Sequence, residues 1–496
     1  MADHSFHHSP DFLEKSVVYQ LFLRAFTPEG TLNAAEKLLP HIASTGANLV
    51  YLTPIVEADG DRRTEFWSDR QKQSLLNNPR NPYRIRDYFR IDPEYGGDDD
   101  LLSFVRSAHS LGLRVLLDLV YYHCGPTAKL IAEHPDFVRR DEHGRILTGR
   151  WHIPELNFDL PELREYLWGN MEYFIRKFDV DGYRCDACDL VPLDFWEEGR
   201  RRIERIKPDV IMIAEAGDTA MLDQRIAFDV NYGIAFPGEL HQVLLGRKSA
   251  DALRSCWEER HARHPGARFL CNFDNHDIAN DDYDSRPEVT GVSPRATAAL
   301  AVVMTMDGIP FLYNGQEIGD GWRHSLYANC LYGPELGINW SRAMTQEGAE
   351  RLEHLRELFH FRKAHAALTR GELIWIDNSV PESIVSYLRR TPEETVFFAA
   401  NLGTQSHRVK FDLPGEMPEK RLLFNRGRQF FANSDRPTFL RISEREAAAI
   451  FEQSKQLFPP QASVNGHGLP QNNRNPCFEY KPGAPVQNRR SDRNLR

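Results

Sequence analysis

Acidic residues recur along this chain at or just after the ends of short apolar segments. The positions are Asp118, Asp186, Glu215, Asp229, Asp274 and Asp277. Placing a charge at the edge of a buried segment costs desolvation free energy, so a group of such charges needs a chemical reason. For Asp186, Glu215 and Asp277 we expect a role in acid–base or nucleophilic chemistry. For Asp229 we expect a structural role, in which it pairs with an arginine or caps the following helix.

The apolar segments alternate with longer amphipathic segments, as β-strands alternate with α-helices. Eight candidate strands span 17–23, 48–52, 114–120, 182–186, 210–214, 226–230, 269–273 and 309–313. Strands buried on both faces read as continuous apolar runs, and eight of them with intervening helices predict an α/β fold of the (β/α)8 TIM-barrel class. Active sites of these barrels form at the C-terminal ends of the strands, where the carboxylates would meet.

The chain divides into a barrel and a smaller β-rich part. We assign residues 1–369 to the catalytic barrel, with long loops at 53–97 and 123–160 on the face that carries active sites. Short alternating segments separated by turn residues predict a C-terminal antiparallel β domain over 370–455. Residues 456–496 are rich in proline and poor in apolar anchors, which predicts a disordered tail.

The composition is that of a globular protein with a mildly acidic surface. The formal net charge is −10, which disfavours binding to nucleic acid or to an anionic membrane surface. No apolar run approaches the ~18 residues that span a bilayer, and the N-terminus lacks the pattern of a secretory signal. The 7 cysteines stand at scattered positions, as reduced thiols do, so we expect a cytoplasmic protein.

Four short motifs occur in order after the third, fourth, fifth and seventh candidate strands. They are DLVYYH from Asp118 to His123, GYRCD from Gly182 to Asp186, Ala214-Glu215, and Asn275-His276-Asp277. In this order and at these positions they resemble the motifs of the α-amylase family of glycoside hydrolases. The segments VVYQLFLRAF, DYFRIDPEYGG, LNFDLPELREYL and GIPFLYNGQEIG agree with that family, so the resemblance extends over residues 15 to 450.

The resemblance implies a retaining mechanism with three catalytic carboxylates. Asp186 would be the nucleophile, Glu215 the general acid and then base, and Asp277 the group that favours the distorted, oxocarbenium-like sugar. Arg184 lies two residues before Asp186 on one strand, so both side chains face one way and the guanidinium keeps the carboxylate ionised. The apolar run before Glu215 predicts an apolar wall that favours its protonated form.

The resemblance also implies which residues bind the sugar. The expected set is Tyr83, a stacking ring at the cleaved sugar, together with Asp118, His123, Arg184 and His276. Because the C–H faces of sugars pack on aromatic rings, the long loops offer further candidates, for which ordinary loop packing is the alternative: Phe66, Trp67, Trp151 and His152. The expected partner is an oligosaccharide, and the sequence leaves the oligomeric state open.

Three positions depart from the family's pattern. Tyr122 replaces an asparagine that binds structural calcium in many members, and tyrosine does not supply that carbonyl oxygen. With the short loop after the third strand, we therefore expect neither a metal nor another cofactor. Arg84 follows Tyr83 where many oligosaccharide-trimming members carry an aspartate, so the usual grip on a terminal glucose is missing. The segment after Asp186 also lacks the lysine of many starch amylases.

The loop over 53–97 is rich in basic residues: Arg62, Arg63, Arg70, Lys72, Arg80, Arg84, Arg86 and Arg90. The simpler interpretation is that these side chains are solvated. The alternative is that some of them close over the site and restrict it to short or modified oligosaccharides.

These features lead to three functional hypotheses. The first is a retaining glycosidase that hydrolyses α-linked gluco-oligosaccharides. The second is a transglycosylase or phosphorylase of the same family, in which an acceptor other than water resolves the covalent intermediate. The third is a catalytically silent barrel that binds glycans, and it is the least favoured because all three carboxylates are present.

Overall fold

The computed structural model of the chain describes most of the barrel and part of the C-terminal β structure. The described residues are 9–217, 226–281, 284, 286–289, 293–413, 421–425, 439–442 and 447–453. The segment 456–496, for which the sequence predicts a tail, lies outside them.

Within the described residues, ten strands precede the C-terminal β structure. They are β1 Val18–Leu21, β2 Leu49–Leu52, β3 Val56–Ala58, β4 Ile85–Ile91, β5 Arg114–Leu119, β6 Gly182–Cys185, β7 Ile211–Ala214, β8 Val230–Asn231, β9 Leu270–Cys271 and β10 Ile309–Tyr313. Eight of them form one parallel sheet in the order β8-β7-β6-β5-β2-β1-β10-β9. A parallel bridge between Asn231 and Phe269 joins the two edge strands, so the sheet closes into the predicted barrel.

Side chains alternate between the barrel interior and the layer of helices around it. Along β7, Ile211 and Ile213 belong to the interior cluster, whereas Met212 and Ala214 belong to the larger outer core. Both faces are therefore apolar, which explains why the barrel strands read as continuous apolar runs.

Helices connect and surround these strands. The α-helices are Asp11–Glu14, Leu23–Phe26, Leu32–Glu36, Leu39–Thr45, Asp69–Gln73, Asp98–Ser110, Lys129–Glu133, Pro161–Phe178, Leu193–Glu204, Ala235–Leu244, Ala252–Arg263, His276–Asp281, Ser293–Thr305, Gln346–Ala364 and Ala366–Arg370. Short 3-10 turns lie at Thr64–Phe66, Pro135–Phe137, Cys188–Leu190, Gln316–Ile318 and Trp340–Met344. None of the helices within the described ranges is long and apolar enough to cross a bilayer.

The C-terminal β structure is antiparallel, as the sequence predicts. Its strands are β11 Glu372–Trp375, β12 Ile384–Arg390, β13 Glu394–Asn401, β14 His407–Lys410, β15 Arg421–Asn425, β16 Phe439–Ile442 and β17 Ala447–Gln453. A five-stranded sheet has the order β11-β12-β13-β17-β15, and β14 pairs separately with β16.

Seven of the eight strand predictions are longer than the strands that form, and only 309–313 has the predicted length. The sixth candidate strand contracts to β8 and the seventh to β9. Asp229 therefore precedes its strand instead of ending it, which turns out to separate it from the site.

Candidate active site

A cavity of about 380 Å³ opens at the C-terminal ends of the barrel strands. Six of the residues predicted to form the site line it: Tyr83, His123, Asp186, Glu215, His276 and Asp277. The other two, Asp118 and Arg184, are buried beneath them. The structure thus brings every predicted site residue into one constellation.

Asp186 is positioned by the tight approach of β6 to β7. At the start of β6, Gly182 has a φ of +142°, and a Cβ there would lie 1.9 Å from the carbonyl oxygen of Ile211. Only glycine fits such a position. Arg184 lies on β6, and Asp186 follows two residues later, in the turn after the strand. The two side chains point in the same direction, and Arg184 Nη1 donates to Asp186 Oδ1 at 2.9 Å. The predicted orientation is confirmed.

The surroundings of Asp186 make its carboxyl harder to ionise. Burial raises the pKa of the Asp186 carboxyl, and Glu215 and Asp118 add to the rise. The Arg184 guanidinium lowers this pKa, but burial and the neighbouring negative charges outweigh it, so Arg184 favours the ionised form less than the sequence analysis predicts.

Polar groups, not an apolar wall, hold the Glu215 carboxylate. Its Oε1 forms an ion pair with Arg184 Nη2 at 2.5 Å, and its Oε2 accepts the backbone N–H of Ala187 at 2.9 Å. The apolar residues that precede it pack inside the barrel or against the helices, because successive side chains of a strand point to opposite faces. The prediction of an apolar wall was therefore wrong.

The turn after Asp186 is strained. Ala187 has a φ of +41°, in the left-handed region that residues with a Cβ rarely adopt. This conformation directs its N–H to the carboxylate of Glu215. The strain is thus stored where the turn orients a site carboxylate.

Asp118 anchors Arg184 from below. Arg184 Nη1 donates to Asp118 Oδ1 and Oδ2 at 2.7 and 2.9 Å, and the hydroxyl of Tyr51 donates to Oδ2 at 2.6 Å. The guanidinium also lies over the rings of Tyr51 and Tyr232, at 5.8 and 5.5 Å from their centroids. Burial raises the pKa of the Asp118 carboxyl, and Arg184 opposes that rise. One buried cation therefore contacts Asp118, Asp186 and Glu215, which we call the carboxylate cluster.

A chain of hydrogen bonds fixes the tautomer of His276. The His276 backbone N–H donates to Gln20 Oε1 at 3.1 Å, so the amide nitrogen of Gln20 faces the imidazole, where it donates to Nδ1 at 2.6 Å. The ring proton is therefore on Nε2, which donates to the Tyr83 hydroxyl at 2.7 Å. That hydroxyl donates in turn to Asp118 at 3.1 Å.

Gln20 and Tyr51 are site residues that the sequence analysis missed. Gln20 is completely buried in the otherwise apolar strand β1. An uncharged polar side chain in a buried strand was the available signal, since such a group requires a hydrogen-bond partner.

His123 lies beside the cavity as a neutral ring. Its Nε2 donates to the backbone oxygen of Tyr83 at 2.8 Å. Burial lowers the pKa of His123 to about 4, and burial likewise lowers that of His276 to about 4. Both rings are neutral at pH 7.

Arg70 reaches the cavity from the long loop after β2 and pairs with Asp277. Its Nη2 lies 2.8 Å from Asp277 Oδ1, with the two side chains 31% and 37% exposed. Burial opposes ionisation of Asp277, but His276 and Arg70 outweigh it and hold the pKa of that carboxyl well below its usual range. Arg70 thus confirms that a basic residue of this loop reaches the site, and the restriction to short or modified oligosaccharides stays a prediction.

Four other basic residues of that loop pair with carboxylates that do not line the cavity. Arg63 pairs with Asp61, Arg80 with Asp92, and both Arg86 and Arg90 with Glu57. Arg84 is fully buried, 3.6 Å from Asp59, and does not line the cavity.

Two of the predicted strand-end acids are outside the cavity. Asp229 accepts from Arg200 Nη1 at 2.6 Å and from the Met212 N–H at 2.8 Å, which confirms its expected structural role. Asp274 accepts from Arg286 Nε at 2.8 Å, and burial raises its pKa to about 6.

Of the four loop candidates for sugar stacking, only Trp151 lines the cavity. It contacts Tyr122 and His123, with ring centroids 5.8 and 5.3 Å away. Trp67 is buried and donates to the backbone oxygen of Asp61, and Phe66 packs under Arg63. Ordinary loop packing is thus the correct interpretation for those two rings.

The position that would supply calcium with an amide oxygen does not fit a cation. The Tyr122 hydroxyl donates a short hydrogen bond to Glu155, so this oxygen is committed as a donor. Within the described part of the chain, no group of three or more His, Cys, Asp or Glu side chains is arranged to hold a metal ion.

Comparison with known proteins gives a consistent picture. The family of alpha amylase catalytic domains matches residues 5–143 and 148–366. A cyclomaltodextrinase from a Bacillus species is 24% identical over 466 residues, covering 81% of this chain and 75% of the relative. The intracellular maltogenic amylase of Bacillus subtilis is 25% identical over 405 residues, covering 75% of this chain and 62% of the relative.

A crystal structure shows the same architecture at higher coverage. The maltogenic alpha-amylase from Thermotoga neapolitana superimposes with a TM-score of 0.70 and 26% identity, covering 89% of this chain and 97% of its own. The motifs in this sequence, the closed barrel with its antiparallel C-terminal sheet, and the family match over most of the chain lead to one conclusion: this protein belongs to the α-amylase family of glycosidases.

Proposed function

We propose that this protein is a retaining glycosidase that cleaves α-glycosidic bonds in α-gluco-oligosaccharides through a covalent glycosyl-enzyme intermediate. The observation that carries the proposal is the guanidinium of Arg184, whose two terminal nitrogens contact Asp186 and Glu215 separately. A single rigid fork sets the separation of the two carboxylates, and retaining enzymes need a short separation, of about 5–5.5 Å.

In the first step, Asp186 attacks the anomeric carbon as a carboxylate. The bond between that carbon and the glycosidic oxygen breaks, and Glu215 transfers its proton to the departing oxygen. The contact with Arg184 supports this step, because the guanidinium favours the ionised form of Asp186.

In the second step, water attacks the anomeric carbon of the glycosyl-Asp186 ester. Glu215 accepts a proton from this water, and the Asp186 carboxylate leaves, so the product keeps the α-configuration. Arg184 stabilises the carboxylate that is regenerated, since their contact is already formed.

The other site residues bind the sugar around the reacting carbon. Asp277 accepts hydrogen bonds from sugar hydroxyls, and its low pKa keeps it ionised for that purpose. The neutral ring of His123 lines the cavity and can accept a hydrogen bond from the same sugar at Nδ1, since its Nε2 is bonded to Tyr83. His276 orients the Tyr83 hydroxyl, and Tyr83 offers its ring face to the sugar. Asp118 acts through Arg184 as a positioning residue.

Transglycosylation is the second candidate, and one feature favours it. Leu190 and Ile234 line the cavity and remain 42% and 50% exposed. Apolar side chains in a cavity can hold a sugar acceptor and exclude water. The silent-barrel hypothesis has no such support, because all three carboxylates line or contact the cavity.

A cytoplasmic location fits this proposal. One relative is named as an intracellular maltogenic amylase. The six cysteines among the described residues, Cys124, Cys185, Cys188, Cys256, Cys271 and Cys330, are free thiols, as is usual for cytoplasmic proteins.

The test is incubation of the protein with maltose, maltotriose, isomaltose, sucrose, trehalose, cyclodextrin and starch, followed by chromatography of the products. We expect hydrolysis of at least one α-linked gluco-oligosaccharide, and proton NMR should show the α-anomer first. Products longer than the substrate would favour transglycosylation. An initial β-anomer, or no turnover of any of these sugars, would contradict the proposal.

A further inference from the structure

The two long loops meet beside the cavity. His152 Nε2, in the loop after β5, lies 3.4 Å from Asp69 Oδ1, in the loop after β2. Next to these residues, Trp151 and Arg70 line the cavity. We call the segments 68–73 and 149–152 together the end wall.

The end wall is fixed to the body of the barrel. The Ser68 hydroxyl lies 3.3 Å from that of Tyr327, and buried Gln71 donates to the backbone oxygen of Asn78 at 2.9 Å. Asn78 in turn donates to the backbone oxygen of Tyr327 at 2.8 Å. Hydrogen bonds made by buried side chains hold a segment in one position, so Arg70 is presented to Asp277 from a rigid support.

Arg70 contacts the residue that holds the sugar retained by the enzyme. Glu215 protonates the departing oxygen, so the leaving group departs on the side of Glu215. Arg70 instead contacts Asp277, which in the proposed function binds hydroxyls of the sugar that stays on Asp186. A chain that extends beyond that sugar would meet the end wall.

We infer that Arg70 and the end wall close the cavity at the non-reducing end of the substrate, so that the enzyme acts on chain ends. This inference rests on the proposed function, because it uses the roles of Glu215 and Asp277. Arg70 is then a specificity-determining residue. It replaces the aspartate that binds the terminal glucose in many family members, at the position where this chain has Arg84. The cavity of about 380 Å³ agrees, since it is near the lower end of the ~300–1,000 Å³ range of ligand pockets.

The test compares two 4-nitrophenyl maltoheptaosides, one with a free non-reducing end and one whose terminal O4 and O6 are blocked by an acetal. Turnover by the wild-type enzyme is followed by chromatography, and binding of both compounds to Asp186→Asn is measured by calorimetry. We expect turnover of the free compound to exceed that of the blocked one by about a hundredfold, the usual cost of misplacing a reacting group. The blocked compound should also bind to Asp186→Asn more weakly than the free compound. Cyclodextrin, which has no chain end, should stay intact.

Arg70→Ala opens the wall and should reduce the preference to less than about tenfold, because the block no longer meets a charged side chain. Arg63→Ala is the matched control, since Arg63 lies in the same loop but pairs with Asp61 outside the cavity. It should keep the wild-type preference.

The inference would be overturned if the wild-type enzyme turned over the free and blocked compounds equally and Asp186→Asn bound them equally. That result would leave the proposed hydrolysis intact. Cleavage of cyclodextrin at the rate of a linear chain would overturn the inference as well. If no compound is turned over, the proposed hydrolysis fails, and the calorimetric comparison with Asp186→Asn still decides whether the end is closed.

Discussion

Arg184 is the cation on which both the stability and the chemistry of the site depend. Its guanidinium is fully buried and contacts Asp118, Asp186 and Glu215. Arg184→Met keeps much of the apolar stem and removes the charge. It leaves three carboxylates without their shared partner in the interior.

The magnitude of the loss follows from the burial of these groups. Removing one partner of a buried ion pair costs about 3–5 kcal/mol, because the other charge stays buried and unpaired. Asp118 is almost completely buried and receives two of the contacts of Arg184, so we expect a loss within this range at neutral pH. The Glu215 side chain is 18% exposed, so water can solvate part of its charge when Arg184 is removed. We therefore do not expect Glu215 to add a further large loss of stability.

The loss should depend on pH with a definite sign. The pKa values of Asp118 and Asp186 are already raised in the folded protein, and they rise further without the guanidinium. A carboxyl with a raised folded pKa stabilises the fold when protonated, and this contribution is lost as the pH rises through that pKa. The variant should therefore lose less stability at about pH 5 than at about pH 8.

Urea unfolding of the variant and the wild type at the two pH values measures this difference. Arg200→Met is a matched control, because Arg200 is equally buried and pairs with Asp229 away from the cavity. Both variants should lose stability, whereas only Arg184→Met should lose turnover by about a thousandfold or more in the folded state. A loss in Arg184→Met below about 1 kcal/mol, or one that grows as the pH falls, would refute the reasoning.

Three further predictions concern the histidines, calcium and the size of the substrate. His123→Gln should lower kcat/KM without shifting the acidic limb of the pH–rate profile, because burial has lowered the pKa of His123 to about 4 and the ring is neutral above pH 5; a displaced limb would show that the ring titrates in the working range. The melting temperature in excess EDTA should equal that in millimolar calcium, since Tyr122 is committed to Glu155, and a fall of about 10 °C or more with chelator would reveal a metal site. The kcat/KM on maltotriose should exceed that on gelatinised starch per bond, because the end wall narrows the cavity; faster cleavage of starch would contradict a preference for short chains.

The sequence was most informative where backbone periodicity decides the position of a side chain. Arg184 lies on β6 and Asp186 follows directly after that strand, so their common direction follows from the pleat. The eight barrel strands follow from apolar runs at regular spacing. The strand ends were less predictable, because β8 and β9 contain only two residues each that pair as strands. That difference removed Asp229 from the site.

Contacts between loops could not be predicted, because nothing in the local sequence encodes their partners. Arg70 was one of eight basic candidates, and it shares its short helix, anchored by Ser68 and Gln71, with Lys72. Only the contact with Asp277 distinguishes it. The wall expected around Glu215 failed for a related reason. The residues before it were apolar, but their side chains point into the barrel and the helix layer, while the carboxylate meets Ala187 across the turn.

The central claim, a covalent intermediate on Asp186, is open to direct observation. Glu215→Gln can still react with α-glucosyl fluoride, whose leaving group needs no acid, but it lacks the base that activates water for the second step. Mass spectrometry of the peptic digest should then find one glucosyl unit on the peptide that contains Asp186. An unmodified Asp186 peptide under conditions in which the fluoride is consumed, or a glucosyl unit on a different residue, would contradict the proposed mechanism.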